Sequence, residues 1–303
     1  MNKTKYLLIV AVSVFSLVLW GGSSFAVSDY WVEGTVQSYY QSGGWGGITG
    51  ERLIGHRVYS PDGGELGQID NLAIDRSDGH ITLVILSDVP GFGDRLAAAP
   101  YSALERLSEH TFQLNFGDHE IPIAPQYSDR FADYMAMHTD SIGLTRFPSS
   151  IDPLWAENVY RFYGQPPYWT VGMTPHPDIV AYRAAGSFDL VLLFEATESP
   201  ALLGSTVNSS DGKAMGRISD LVIDSKDCRV ALVIVDEVPG RGDAMVAVPF
   251  GELSMTGNAF AFNFTGDRLA SAPVFMYADA DNPRYARDVY VYFGLQPYWT
   301  IGE

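Results

Sequence analysis

The 303-residue chain is 47% apolar and 13% aromatic and carries a formal net charge of −17, a globular composition that excludes a disordered chain. So acidic a balance excludes nucleic acid as the partner, because phosphate contacts need Lys and Arg, and it disfavours docking on anionic lipid. The length accommodates two ordinary domains with a sizeable core.

Lys3 and Lys5 precede an apolar run from Tyr6 to Trp20, which closes on the small-x-small triplet Ser24-Phe25-Ala26. This three-part layout predicts a secretory signal peptide over residues 1–26, cleaved after Ala26, and a periplasmic or secreted protein. The run of about 15 residues falls short of the roughly 20 that a spanning helix requires; an N-terminal membrane anchor is the alternative if the segment stays uncleaved. No Cys follows the run, so a lipoprotein anchor is excluded. Cys228 is the only cysteine, so an exported chain folds without an internal disulfide.

After a Gly/Ser/aromatic linker over residues 27–50, the chain is written twice. The stretch from Leu53, "LIGHRVYSPDGGELGQIDNLAID", aligns without a gap at a constant offset with that from Leu202, "LLGSTVNSSDGKAMGRISDLVID". Roughly 23 of 53 positions are identical, well above chance for a self-comparison. Each copy predicts five or six short strands with local Gly/Asp turns. "SPDGGELG" and "SSDGKAMG" read as hairpin turns, and the spacing of Ile69, Leu72 and Ile74 predicts a bulge near Asp70-Asn71. "HITLVILSDV" and "RVALVIVDEV" are apolar on both faces, as expected of doubly covered strands. The fold expected is mainly β, two tandem small barrels over residues 51–123 and 188–271.

Each copy ends in a tail whose period changes. "DPLWAENVYRFYG" places Asp152 at the N-cap, Pro153 at N1 and Gly164 as the stop; "NPRYARDVYVYFG" repeats this with Asn282, Pro283 and Gly294, so each predicts a short amphipathic helix. Both helices run into a Pro-Tyr-Trp segment. The first tail, with a helical insertion of about 18 residues that the second lacks, spans residues 124–172. Residues 173–187 form a linker and 272–303 the second tail.

The stretch "DGGELGQIDNLAID…VPGFGDRLAAAPYSAL" resembles the PRC-barrel family, the small β-barrels of the photosynthetic reaction-centre H subunit and of the ribosome maturation factor RimM. The matching positions are Asp62, Gly63, Gly67, Ile69, Gly91, Gly93, Asp94, Pro100, Tyr101 and Leu104. In the second copy they are Asp211, Gly212, Gly216, Ile218, Gly240, Gly242, Asp243, Pro249, Phe250 and Leu253. The resemblance covers about 65 residues of each half. It implies a non-catalytic barrel that docks on partners in larger assemblies. An RNA-facing domain is missing and the chain is acidic, which sets it apart from the ribosome factor. It also lacks the spanning helix and cytoplasmic placement that likeness to the H subunit would imply.

Motifs of chemistry are missing: there is no Walker loop, His-Glu-x-x-His, nucleophile elbow or paired CxxC. The six histidines have no metal-ligand spacing and none recurs in the other copy. Asp62/Asp211, Asp75/Asp224, Asp78/Asp227 and Asp94/Asp243 do recur, but aspartate at turn starts is explained by side-chain to backbone hydrogen bonding. Arg241-Gly242-Asp243 spells the adhesion tripeptide, yet the first copy has Phe92-Gly93-Asp94 there, so a loop constraint accounts for it. Cys228 replaces Gly79 where a left-handed backbone is natural.

These readings point to a protein with no cofactor and no catalytic site, binding or scaffolding another protein or complex of the cell envelope. The alternative is a small-ligand or metal-binding module with its site between the barrels; an enzyme confined to the first copy's insertion is a third. Tyr168, Trp169, Tyr298 and Trp299 are the candidate residues, either as a clasp closing each tail onto a barrel or as a partner-binding surface. A Tyr-Trp pair buries on the order of 300–500 Å², upwards of about 7 kcal/mol, which favours the clasp.

Overall fold

The structure, a computed structural model, describes residues 45–108, 110–114, 143–144, 150–151, 153–165, 167–169, 188–193, 201–256 and 258–300. The expected signal peptide, Asp152 and all but the last residue of the insertion's predicted helix (128–143) lie outside these residues. Among the described residues no helix is long and apolar enough to cross a membrane.

The first half contributes β1 (Gly47–Thr49), β2 (Arg57–Tyr59), β3 (Glu65–Asp75), β4 (Ile81–Ser87), β5 (Leu96–Ala99), β6 (Leu104–Arg106) and β7 (Thr111–Leu114). Short strands β8 (Gly143–Leu144) and β9 (Ser150–Ile151) precede helix α1 (Pro153–Phe162), and β10 (Phe188–Leu192) follows it. The second half contributes β11 (Thr206–Asn208), β12 (Ala214–Asp224), β13 (Arg229–Asp236), β14 (Val246–Pro249), β15 (Leu253–Thr256) and β16 (Ala259–Phe262). Helices α2 (Gly266–Ala270) and α3 (Pro283–Tyr292) complete it.

The protein is mainly β, with two mixed sheets. Their strand orders are β6-β7-β2-β3-β4-β5-β8 and β14-β13-β12-β11-β16-β15. Among the described residues each order is an open path that does not return to its first strand, so closed barrels are not detected. Among the described residues the path of each sheet holds one parallel strand pair, β2 with β7 and β11 with β16. The bulge expected at Asp70 lies between Ile69 and Asn71, where the β3–β4 register shifts; β12 repeats it between Ile218 and Asp220. The double-sided apolar runs are buried from Ile81 to Leu86 and from Val230 to Val235, as central strands require. Asn282 caps α3, its Oδ1 accepting the Arg284 and Tyr285 amides at 3.1 and 3.4 Å.

The repeats do not keep their strands to themselves. β1, in the stretch read as a linker, pairs antiparallel with β12 of the second repeat, Gly47 opposite Asp224. In return β10, which sequence reading assigned to the second copy, pairs with β3 of the first, Leu190 opposite Asp75. The described residues accordingly fall in one compact unit.

Candidate functional site at the seam between the repeats

The two turns that carry the recurring aspartates meet end to end. Ile81 N donates to Cys228 O and Val230 N to Gly79 O, both at 2.9 Å, around an antiparallel bridge of His80 with Arg229. Equivalent residues of the two copies therefore face each other, as in an isologous dimer interface. Gly79 has φ +81° and Cys228 φ +53°, so the thiol-bearing residue adopts a conformation that favours glycine. At Gly79 a Cβ would come within 2.8 Å of Phe250, so the first turn accepts no side chain without displacing that ring.

Each Pro-Tyr-Trp tail returns to the turn of its own repeat. Tyr168 Oη donates to Asp75 Oδ2 at 3.0 Å, and Tyr298 Oη to Asp224 Oδ2 at 3.2 Å. Both carboxylates are buried, and each also holds its turn: Asp75 Oδ1 accepts the Ser77 amide and hydroxyl at 2.9 and 2.7 Å, and Asp224 Oδ1 accepts the Lys226 amide at 3.1 Å. The Trp rings lie edge-on against helix tyrosines, Trp169 on Tyr160 at 5.1 Å and Trp299 on Tyr290 at 5.0 Å between centroids. Those tyrosines donate to strand carbonyls, Tyr160 to Thr82 O at 2.8 Å and Tyr290 to Ala231 O at 3.1 Å. Trp169 is 2% exposed; Tyr168, Tyr298 and Trp299 are half-buried against the core.

The seam joins these two assemblies. Tyr168 stacks on His80 with centroids 4.3 Å apart and planes 11° from parallel. Arg229 reaches His80 Nε2 at 3.1 Å while its guanidinium carbon lies 4.8 Å above the Tyr298 ring. Asp78 pairs with His80 at 2.8 Å and Asp227 with Arg229 at 3.3 Å. Burial raises Asp75 and Asp224 above the ordinary carboxylate range, with the charges of Asp78 and Asp227 adding to it. Burial also acts on Asp78, but hydrogen bonds from His80 outweigh it and hold the carboxyl low. The Cys228 thiol is pushed up to about 12 by burial and by Asp227 and Asp224, far from the thiolate that nucleophilic chemistry uses.

Tyr168, Trp169, Tyr298 and Trp299 thus gather with the aspartates that recur at equivalent positions, a link hidden in the sequence because 93 and 74 residues separate each Tyr from its Asp. The signal was present: the same two residue types recur together in both copies. The other family positions serve turns and strands away from the seam. Asp62 and Asp211 accept from the Ser60 and Ser209 hydroxyls, Gly63 and Gly212 complete those turns, and Gly67 and Gly216 lie inside β3 and β12. Gly91, Gly93, Asp94, Gly240, Gly242 and Asp243 line the two exposed loops. Arg241 of the adhesion-like tripeptide is tied to Ala270 O and Ala272 O at 2.8 and 2.9 Å.

Sequence reading scattered the histidines, but the parallel pairing of β2 with β7 brings His56 Nε2 within 2.8 Å of His110 Nδ1 at the surface. His119, His138 and His176 lie outside the described residues. Among the described residues no group of three or more His, Cys, Asp or Glu side chains is placed to hold a metal ion.

Comparison with known families finds a PRC-barrel domain at residues 46–120. The match begins at Gly46 and so takes in β1, the strand that lies on the second repeat's sheet. No curated protein matches the chain in sequence.

Proposed function

We propose that this chain is an exported, non-catalytic tandem PRC-barrel protein, its second repeat a barrel of the same kind, that serves as a protein-binding or assembly module in the cell envelope. The observation that carries the reading is where the recurring polar residues are used. Asp75 with Tyr168 and Asp224 with Tyr298 bond within their own repeats, and Asp78 and Asp227 hold His80 and Arg229, which meet across the seam, so what the two copies share buttresses the joint between them. What differs between the copies is free to diversify. The second tail leaves Met276 61% and Val291 63% exposed, and the chain's acidity suits a basic partner rim.

The alternative, a small-ligand or metal module between the barrels, draws on the electrostatic contact of Asp227 with Asp78 and His80 of the other repeat, a set that is not placed to hold a metal ion. Crosslinking the mature protein in its own envelope, followed by mass spectrometry of co-purifying neighbours, separates the two readings. Reproducible capture of one protein or complex is expected. A purified chain that carries a bound metal or small molecule and captures no neighbour would refute the scaffold.

A further inference from the structure

β1 is seated entirely by the other repeat. Trp45 Nε1 donates to Ala280 O at 3.0 Å, and its ring packs 4.7 Å from Trp299. Gly46 O accepts from Ser225 N at 3.0 Å and Ser225 Oγ at 2.7 Å. Gly47, Ile48 and Thr49 pair with Asp224, Ile223 and Val222, after which Gly50 N donates to Leu221 O at 2.9 Å and Glu51 N to Asp220 Oδ1 at 3.1 Å. A Cβ on Gly47 would stand 1.8 Å from Ala280 O, so the seat takes glycine there. An aromatic slot, a close backbone approach and a strand edge are the parts of a strand-addition peptide site.

We propose that this slot also takes residues 45–50 of a second copy of the chain, so that copies join by reciprocal exchange of β1. Nothing in the slot depends on which chain delivers the strand. The equivalent edge of β3 is likewise filled across a repeat boundary, by β10. Gly50 at the strand's end and Gly55, with φ +77°, in the connection to β2 give the segment a hinge on which to swing out. Reciprocal exchange restores each of these contacts, so the balance between closed monomer and joined copies follows concentration.

The test mixes two full-chain variants, both with Cys228→Gly: one carries Gly46→Cys and the other Ser225→Cys. A Cβ at position 46 lies 2.7 Å from Ser225 Oγ, so the two cysteines fall within disulfide reach only when one copy's strand occupies the other's slot. Under mild oxidation at about 0.5 mM, near the effective concentration of a tethered segment, a disulfide-linked heterodimer is expected. It should weaken at least tenfold on hundredfold dilution and be suppressed by excess peptide of residues 43–51. Light scattering on the unmodified chain reads the same event without cysteines: a concentration-dependent dimer that Gly47→Ala removes. A heterodimer no more abundant than with a distant surface cysteine, together with a monomer at every concentration, overturns the proposal.

Discussion

Asn71 and Asp220 occupy the same place in the two repeats, and that pair provides a built-in control. Each sits at the bulge of its long strand, 2% and 0% exposed. Each accepts the next residue's amide through Oδ1, Leu72 N at 2.9 Å and Leu221 N at 2.7 Å. Burial raises the Asp220 carboxyl from 3.8 to about 6, its backbone hydrogen bonds opposing and the charge of Glu51 reinforcing the rise. Glu51 and Tyr277 face it, Tyr277 donating to Glu51 at 3.4 Å, with Asp236 also acting on Tyr277; none of these supplies a positive charge. A carboxyl whose folded value lies above its unfolded one stabilises fully below the unfolded value, and that contribution disappears as pH rises through the folded value. Asp220 therefore costs about 1 kcal/mol at pH 4.5 and about 3 kcal/mol at pH 7.5. Asp220→Asn removes the titration while keeping the Oδ1 acceptor. Whatever the amide's burial costs is the same at both pH values, so the variant should gain about 2 kcal/mol relative to wild type between pH 4.5 and 7.5. Urea unfolding of both chains at the two pH values measures this difference directly. Parallel stability profiles would show that Asp220 titrates normally, and the reasoning would be refuted.

Tyr298→Phe takes the donor from a buried carboxylate oxygen of Asp224 and should cost about 1–3 kcal/mol in urea unfolding. Tyr168→Phe should cost a similar amount at Asp75; losses under about 0.5 kcal/mol for both would mean that water already serves these oxygens. Trp169→Ala empties a fully buried site and should cost about 3–5 kcal/mol, with the half-buried Trp299 losing less. The Cys228 thiol should label slowly with a thiol reagent at pH 8 and rapidly once urea unfolds the chain; fast labelling of the folded chain would contradict the raised thiol.

The sequence by itself determined the units and their local structure. Gap-free self-similarity exposed two copies, β-branched runs between Gly/Asp turns marked the strands, the Ile69–Leu72 spacing placed the bulge, and Asn282-Pro283 with Gly294 framed α3. These are short-range properties, in which a residue's conformational preference and its nearest neighbours decide the outcome. Tertiary structure alone decided which strand completes which sheet. β1 and β10 are three and five residues long, and segments so short carry no pairing partner in their own pattern; the open edges of β12 and β3 select them. The same holds for the seam. Asp75, Tyr168 and His80 read separately as a turn residue, a loop aromatic and a scattered histidine, and Arg229 carried no signal of its own. Burial beside one another turns them into a single network, because a carboxylate removed from water must find its donors within the protein.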